Sequence, residues 1–335
     1  MATIAKSKIY GPKLSRWKQL GRVLEKQGAI VALVLLVAFG ALRYEGFLGS
    51  YNTTEFLRYN SMFGLIALGM SFVIMTGGID LSVGAVAALG SVLAALTSPY
   101  GLFVAPLVSI LGGVLVGLFN GWVIIRLGIP PFITTLATLL ACRGLALIFA
   151  KNASIGVDAG SGFVRIGQDA LNMPIPVIVM VVAYIFGSIT LNYTRFGRYV
   201  LAVGGNEEAA RLMGLPVDGV KVTVYALNGG LAGLAGVILA SLTFTGLPTE
   251  GVGWELSAIA AVVVGGTLLT GGMGSVGTTL VGVILLGLIF NILNFENGYG
   301  LFSLSAYWQS VIRGAFLLVV VILQNRLIRK REILQ

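Results

Sequence analysis

The sequence predicts an all-α integral membrane protein of about ten transmembrane helices, some short or broken, with both termini in the cytoplasm. Three observations lead there. Of 335 residues, 57% are hydrophobic and only 10% charged, against roughly 25% charged in a soluble domain. At about 20 apolar residues per membrane helix, this content makes roughly nine or ten spans and leaves little for a soluble domain. The apolar runs are apolar all round, without the alternation of a barrel strand. A soluble enzyme and a single-span receptor are excluded, and an outer-membrane barrel fits poorly.

The chain opens on a basic arm, 1–27, in which Lys6, Lys8, Lys13, Arg16, Lys18, Arg22 and Lys26 accompany a single acid, Glu25. Leu14, Trp17, Leu20 and Leu24 recur at helical spacing, which predicts an amphipathic helix in the headgroup region. The run 28–42 reads as an uncleaved first span: the basic region is long for a signal peptide, and no small-x-small cleavage site closes the run. Nine further runs cover approximately 59–76, 82–97, 103–125, 132–150, 174–191, 222–244, 256–270, 275–293 and 304–323, all in one transmembrane domain, 28–325. Gly77, Gly78, Asp80 and Ser82 form a tight connection after the second run, and Gly271 and Gly272 another. Broken or half-spanning helices are expected there, because such backbone is tolerated in a membrane only where protein or a cavity covers it. Asp80 is placed to cap the next helix, a reading preferred to ion binding.

Orientation follows from the basic residues. With ten spans and the N-terminus inside, the arm, Arg126, Arg195, Arg198, Arg211, Lys221 and the tail 326–335 are cytoplasmic. Only Arg43, Arg58, Lys151 and Arg165 fall outside. Sixteen against four follows the positive-inside rule. The net charge of +9 therefore reports orientation and lipid contact, and nucleic acid is not expected as a partner.

Two hydrophilic segments separate spans. The outer loop, 151–173, carries Asp158 and Asp169 beside Arg165. The inner loop, 192–221, predicts one short helix at its centre. Asn206 suits the N-cap, Glu207 and Glu208 the first turn, and Arg211 the end, with Gly214 and Pro216 stopping it. A compact capped helix suits a docking element, and equally an ordinary solvated loop.

Gly113, Gly117 and Gly121 make a double GxxxG, and Gly229 and Gly233 another, with Ala232, Gly236 and Ala240 on an adjacent stripe. Close helix packing follows, static or sliding alike. Arg143 and Arg313 lie within runs; each is expected to find a structural partner or to line a pathway. One cysteine and no histidine exclude disulfides, Cys/His zinc sites and His-ligated haem. Cys142 sits in an apolar run and reads as packing. No acid lies well inside a span, as a proton- or sodium-coupled carrier would require. The absence of any Gly-Lys dipeptide excludes a Walker A loop. The chain is thus expected to be no enzyme and to take its energy from elsewhere.

Three segments carry a family resemblance: MSFVIMTGGIDLSVGAVAALGS at 70–91, FGRYVLAVGGNEEAARLMGL at 196–215 and ELSAIAAVVVGGTLLTGGMGSVGTTLVGVILLGLI at 255–289. In that order they resemble permease subunits of bacterial ATP-binding-cassette (ABC) sugar importers of the ribose/xylose/galactose type. The similarity extends from about 30 to 325. It implies the ribose-permease type of fold, an inner-membrane location, cassette ATPases as partners (ATP and Mg are theirs, none being bound by this chain), a second permease chain and a periplasmic sugar-binding protein. Glu208, Ala209, Ala210 and Gly214 match the EAA-x-x-x-G pattern by which such permeases dock their ATPases. Gly205 and Asn206 belong to the same coupling segment. The stretch 291–327 is similar to the second permease of galactofuranose importers, implying a heterodimer, with a homodimer as the alternative. Asn120, Phe132, Arg143 and Asn228 are the pathway candidates, chosen by polarity and position. No cluster of aromatics and carboxylates marks a sugar site within the chain. A stand-alone channel, a secondary carrier and a membrane scaffold are the competing readings.

Overall fold

A computed structural model of the chain describes residues 16–170 and 173–299 and seven positions between 308 and 322, with side chains from residue 29 onward, apart from 298 and 299. The arm up to residue 15, the helical face expected for 14–24, Arg313, most of the run 304–323 and the tail 326–335 lie outside the described residues. Eleven α-helices are found among those described: α1 Arg16–Arg43, α2 Ser50–Met75, α3 Val83–Thr97, α4 Val104–Arg126, α5 Pro131–Phe149, α6 Ile175–Tyr193, α7 Arg195–Gly205, α8 Glu207–Leu212, α9 Val217–Thr243, α10 Trp254–Val264 and α11 Val276–Tyr299. Seven are long and apolar enough to cross a membrane: α2, α3 with the turn that extends it to Tyr100, α4, α5, α6, α9 and α11. They coincide with seven of the expected runs. The apolar part of α1, Ala29–Arg43, and α10 are shorter.

The run 256–270 needs correction. Its helix, α10, ends at Val264, after which Gly266 takes a φ of +89°. A β-carbon on Gly265 would fall 2.6 Å from the Thr278 carbonyl oxygen of α11. The chain turns there because only glycine fits that approach, and 265–275, which holds five glycines, folds as successive turns although Leu268 and Leu269 extend the apolar run. The inner loop holds two helices where one was expected. Before α8 comes α7, whose Thr194 Oγ1 accepts the Gly197 N–H at 3.2 Å, an N-cap bond. Val200 and Val203 of α7 are buried. In the outer loop, Asp169 pairs with Arg58 at 2.5 Å and not with its sequence neighbour Arg165.

The glycine stripes explain how the core closes. Those of α4 and α9 face each other. A β-carbon on Gly113 would strike the Gly229 carbonyl oxygen, one on Gly117 the Tyr225 carbonyl oxygen, and one on Gly233 the Ser109 carbonyl oxygen. Gly236 approaches Ala87 of α3 in the same way. Backbones this close gain dispersion contacts that Leu-lined helices in lipid cannot reach. Helix α9 is thereby buried among α2, α3 and α4, while α4, α5 and α6 turn Leu115, Leu140 and Phe186 outward, a surface that lipid solvates. Outside the bundle, two-residue strands join Ile155–Gly156 to Thr245–Gly246 and Asp169–Ala170 to Met173–Pro174.

Candidate functional site

Three polar regions stand out among the described residues. The first is α8. Asn206 Oδ1 accepts the Ala209 N–H at 2.9 Å, and Gly214 follows with φ +77°, the left-handed turn that ends a helix and favours glycine. Ala210 is buried, whereas Gly205, Asn206, Glu208 and Gly214 are exposed, as are Leu212 and Met213. The helix is fastened to α9 by Lys221 Nζ at 2.5 Å from Glu207 Oε2 and by Arg211 Nη2 at 2.8 Å from Asp218 Oδ1. Partial burial pushes the Glu207 carboxyl up, but Lys221 and Arg211 outweigh it and hold the group below the usual carboxylate range.

Behind α8 the two glycine-rich connections meet. The Gly272 N–H donates to the Met75 carbonyl oxygen at 3.0 Å. A β-carbon on Gly204 would collide with that same carbonyl, and one on Gly271 would lie 2.8 Å from the Gly77 nitrogen. The end of α2, the turn at 271–272 and the end of α7 therefore share one backbone junction next to the capped helix.

The second region is a buried polar chain. Asp80 Oδ1 accepts from the Ser82 N–H at 2.9 Å and the Ser82 hydroxyl at 2.6 Å, just ahead of α3. Its Oδ2 accepts from Asn228 Nδ2 of α9 at 2.8 Å. Asn120 Nδ2 donates to Ser82 Oγ at 3.1 Å, and Thr138 Oγ1 donates to Asn120 Oδ1 at 2.6 Å. Four helices are tied by polar groups that no solvent reaches, and within this chain of bonds Asn228 Oδ1 alone accepts none. Asp80, Asn120 and Asn228 are all buried, and Gly78 leaves room for the Tyr225 hydroxyl beside them.

The remaining pathway candidates sit elsewhere. Phe132 is exposed at the start of α5. Arg143 donates to the Pro248 and Glu250 carbonyl oxygens at 2.6 and 2.5 Å, so it fastens the loop before α10 to α5. None of Asn120, Phe132, Arg143 and Asn228 lines the third region, a cavity of about 310 Å³ between α2, α10 and α11. There Glu55 joins Asn52, Tyr59 and Asn60 of α2, Ser257 of α10 and Asn291 of α11. One carboxylate, Glu55, thus lies on the same wall as the aromatic rings of Phe56, Tyr59 and Phe63. The i, i+4 pairs Asn52–Phe56 and Glu55–Tyr59 in the sequence place these groups on neighbouring faces of α2, a signal the hydropathy runs pass over because they begin at 59.

A bundle of apolar helices, closed by glycine and tied by buried polar bonds, defines a multi-pass membrane protein with no reaction centre among its described residues. The chain belongs to the family described as "branched-chain amino acid transport system / permease component", which matches residues 52–321. It is a transport subunit of the inner membrane and not an enzyme. It is similar to the ribose import permease protein RbsC of Bacillus subtilis, 41% identical over 91% of this chain and 94% of that one. With RbsC of Escherichia coli K12 the identity is 35% over 90% and 94%. With the L-arabinose transport system permease protein AraH of the same strain it is 36% over 96% of each. No solved structure matches the chain.

Proposed function

We propose that the chain is the permease subunit of an ABC importer that carries a monosaccharide across the inner membrane, powered by a separate ATPase and supplied by a periplasmic sugar-binding protein. The observation that carries this reading is the capped α8, anchored through buried Ala210 and the Glu207–Lys221 pair while it exposes Glu208, Leu212 and Met213. A helix that must receive a push and pass it to α9 needs this combination of rigidity and an accessible face. ATP binding closes the cassettes, α8 moves with them, and the bundle reopens outward as a rigid body. Ten spans with both termini cytoplasmic complete the proposed topology.

The permease acts as a pair. A heterodimer is favoured by the likeness of 291–327 to the second permease of galactofuranose importers, and a homodimer is the alternative. The named relatives support a pentose; galactofuranose finds no support among them. The family description favours a second reading, a branched-chain amino acid. Proteoliposomes carrying the assembled importer separate these readings. ATP-driven uptake of D-ribose or L-arabinose is expected, with none of L-leucine. Uptake that proceeds without ATP would sink the importer reading in favour of a channel or carrier.

A further inference from the structure

The cavity between α2, α10 and α11 has the chemistry of a site for a polyhydroxylated ring. Its walls combine amides and a carboxylate, which donate and accept at several points, with aromatic rings that offer flat apolar faces. At about 310 Å³ it lies at the small end of ligand pockets, the size range of a single sugar ring. Tyr59 and Phe63 on the wall meet at 5.4 Å between centroids with their planes inclined by 52°, and Phe63 is backed by Trp254 at 4.8 Å with the same inclination.

The polar groups are held in place. Asn52 and Asn291 exchange hydrogen bonds at 3.2 and 2.9 Å, which joins α2 to α11 across the wall. Glu55 is oriented by Arg58 at 2.6 Å. Asn60 donates to the Phe56 carbonyl oxygen at 2.8 Å, and its amide occupies the space that a β-carbon on Gly287 would take. Glycine at 287 thus makes room for an amide where an apolar chain would otherwise pack.

Position along α2 gives the cavity a side. Asn60 lies fifteen residues from Met75, about 22 Å at the helical rise of 1.5 Å per residue. Met75 touches the junction next to α8, so the cavity sits toward the membrane face opposite the ATPase-docking helix. That is the face at which a binding protein would release its cargo.

We infer that this cavity is a low-affinity monosaccharide subsite, occupied between release from the binding protein and passage inward; the inference rests on the sugar-importer reading above. Cys142 is the one cysteine, so Cys142→Ala with Ser257→Cys places a single thiol on the cavity wall with little change in volume. In proteoliposomes bearing the whole importer, this thiol is expected to react with a water-soluble, charged thiol reagent. D-ribose at ten times its half-protecting concentration should slow the reaction about ten-fold, as simple occupancy requires. L-leucine should leave the rate unchanged, and adding Tyr59→Leu should remove the protection but keep the labelling.

Equal rates with and without D-ribose overturn the subsite, as does a thiol that never reacts, the result for a cavity filled by lipid or by another helix. ATP-driven sugar uptake in the same vesicles separates the two claims. Intact uptake without protection refutes the subsite alone, whereas absent uptake refutes the importer reading.

Discussion

Lys221, near the start of α9, reaches back fourteen residues to place its ammonium 2.5 Å from the carboxylate of Glu207, the first residue of α8. One ion pair thus couples the exposed capped helix to the helix that carries the glycine stripe and Asn228. Its partly exposed setting limits its worth to about 1 kcal/mol or less. Its position matters more than its strength, because it joins the first residue of α8 to α9.

Lys221→Met should leave the protein in the membrane and slow ATP-driven uptake several-fold. The pair also has a pH signature. A carboxylate held below its ordinary range contributes stability that is complete at neutral pH and is lost only as pH falls through the lowered value. Amide exchange in α8 should therefore keep its protection through the usual carboxylate range in the native protein. In Lys221→Met the protection should begin to fall at higher pH, and identical profiles would refute the coupling.

Glu208→Arg should preserve membrane insertion and abolish ATPase docking. Glu208 is exposed, and its neighbour Ala210 anchors the helix, so the substitution changes an exposed face of α8 and not the fold. Normal co-purification of the ATPase would count against α8 as the docking element.

Gly117→Leu should lower the melting temperature in detergent. Its side chain would enter the space of the Tyr225 carbonyl, and overpacking of this kind costs about 1–3 kcal/mol or more. Leu115→Ala, on the outward face of the same helix, should change stability far less. Equal effects would mean that the α4–α9 contact does not hold the bundle.

Asp80→Ala and Asn228→Ala should each destabilise the protein, because each strands the other's buried polar group at about 1–3 kcal/mol. The double variant should lose much less than the sum, with a coupling of about 0.5–3 kcal/mol. Additive losses in thermal unfolding would show that the 2.8 Å bond does not link α9 to the break before α3.

Local chemistry was enough to read much of the chain. Long apolar runs mark seven of the helices, since backbone groups in lipid must bond within their own segment. Asn206, the acids after it and Gly214 spell out a capped helix within nine residues. The family resemblance likewise resides in contiguous stretches. What no local pattern carries is which faces meet. Lipid and protein interior are both apolar, so hydropathy cannot say that the stripe of α4 lies on that of α9, or that the stripe of α9 continues onto α3. It could not stop α10 at Val264, because the obstacle there is the backbone of α11. Nor could it bring Glu55, Asn60, Ser257 and Asn291 to one cavity, since they are separated by up to 236 residues. Apart from the end of α10, secondary structure was thus decided by the chain's own order of residues, through interactions a few positions long. The buried polar chain, the glycine junction behind α8 and the cavity were decided by tertiary contacts, because each depends on the close approach of segments distant in sequence.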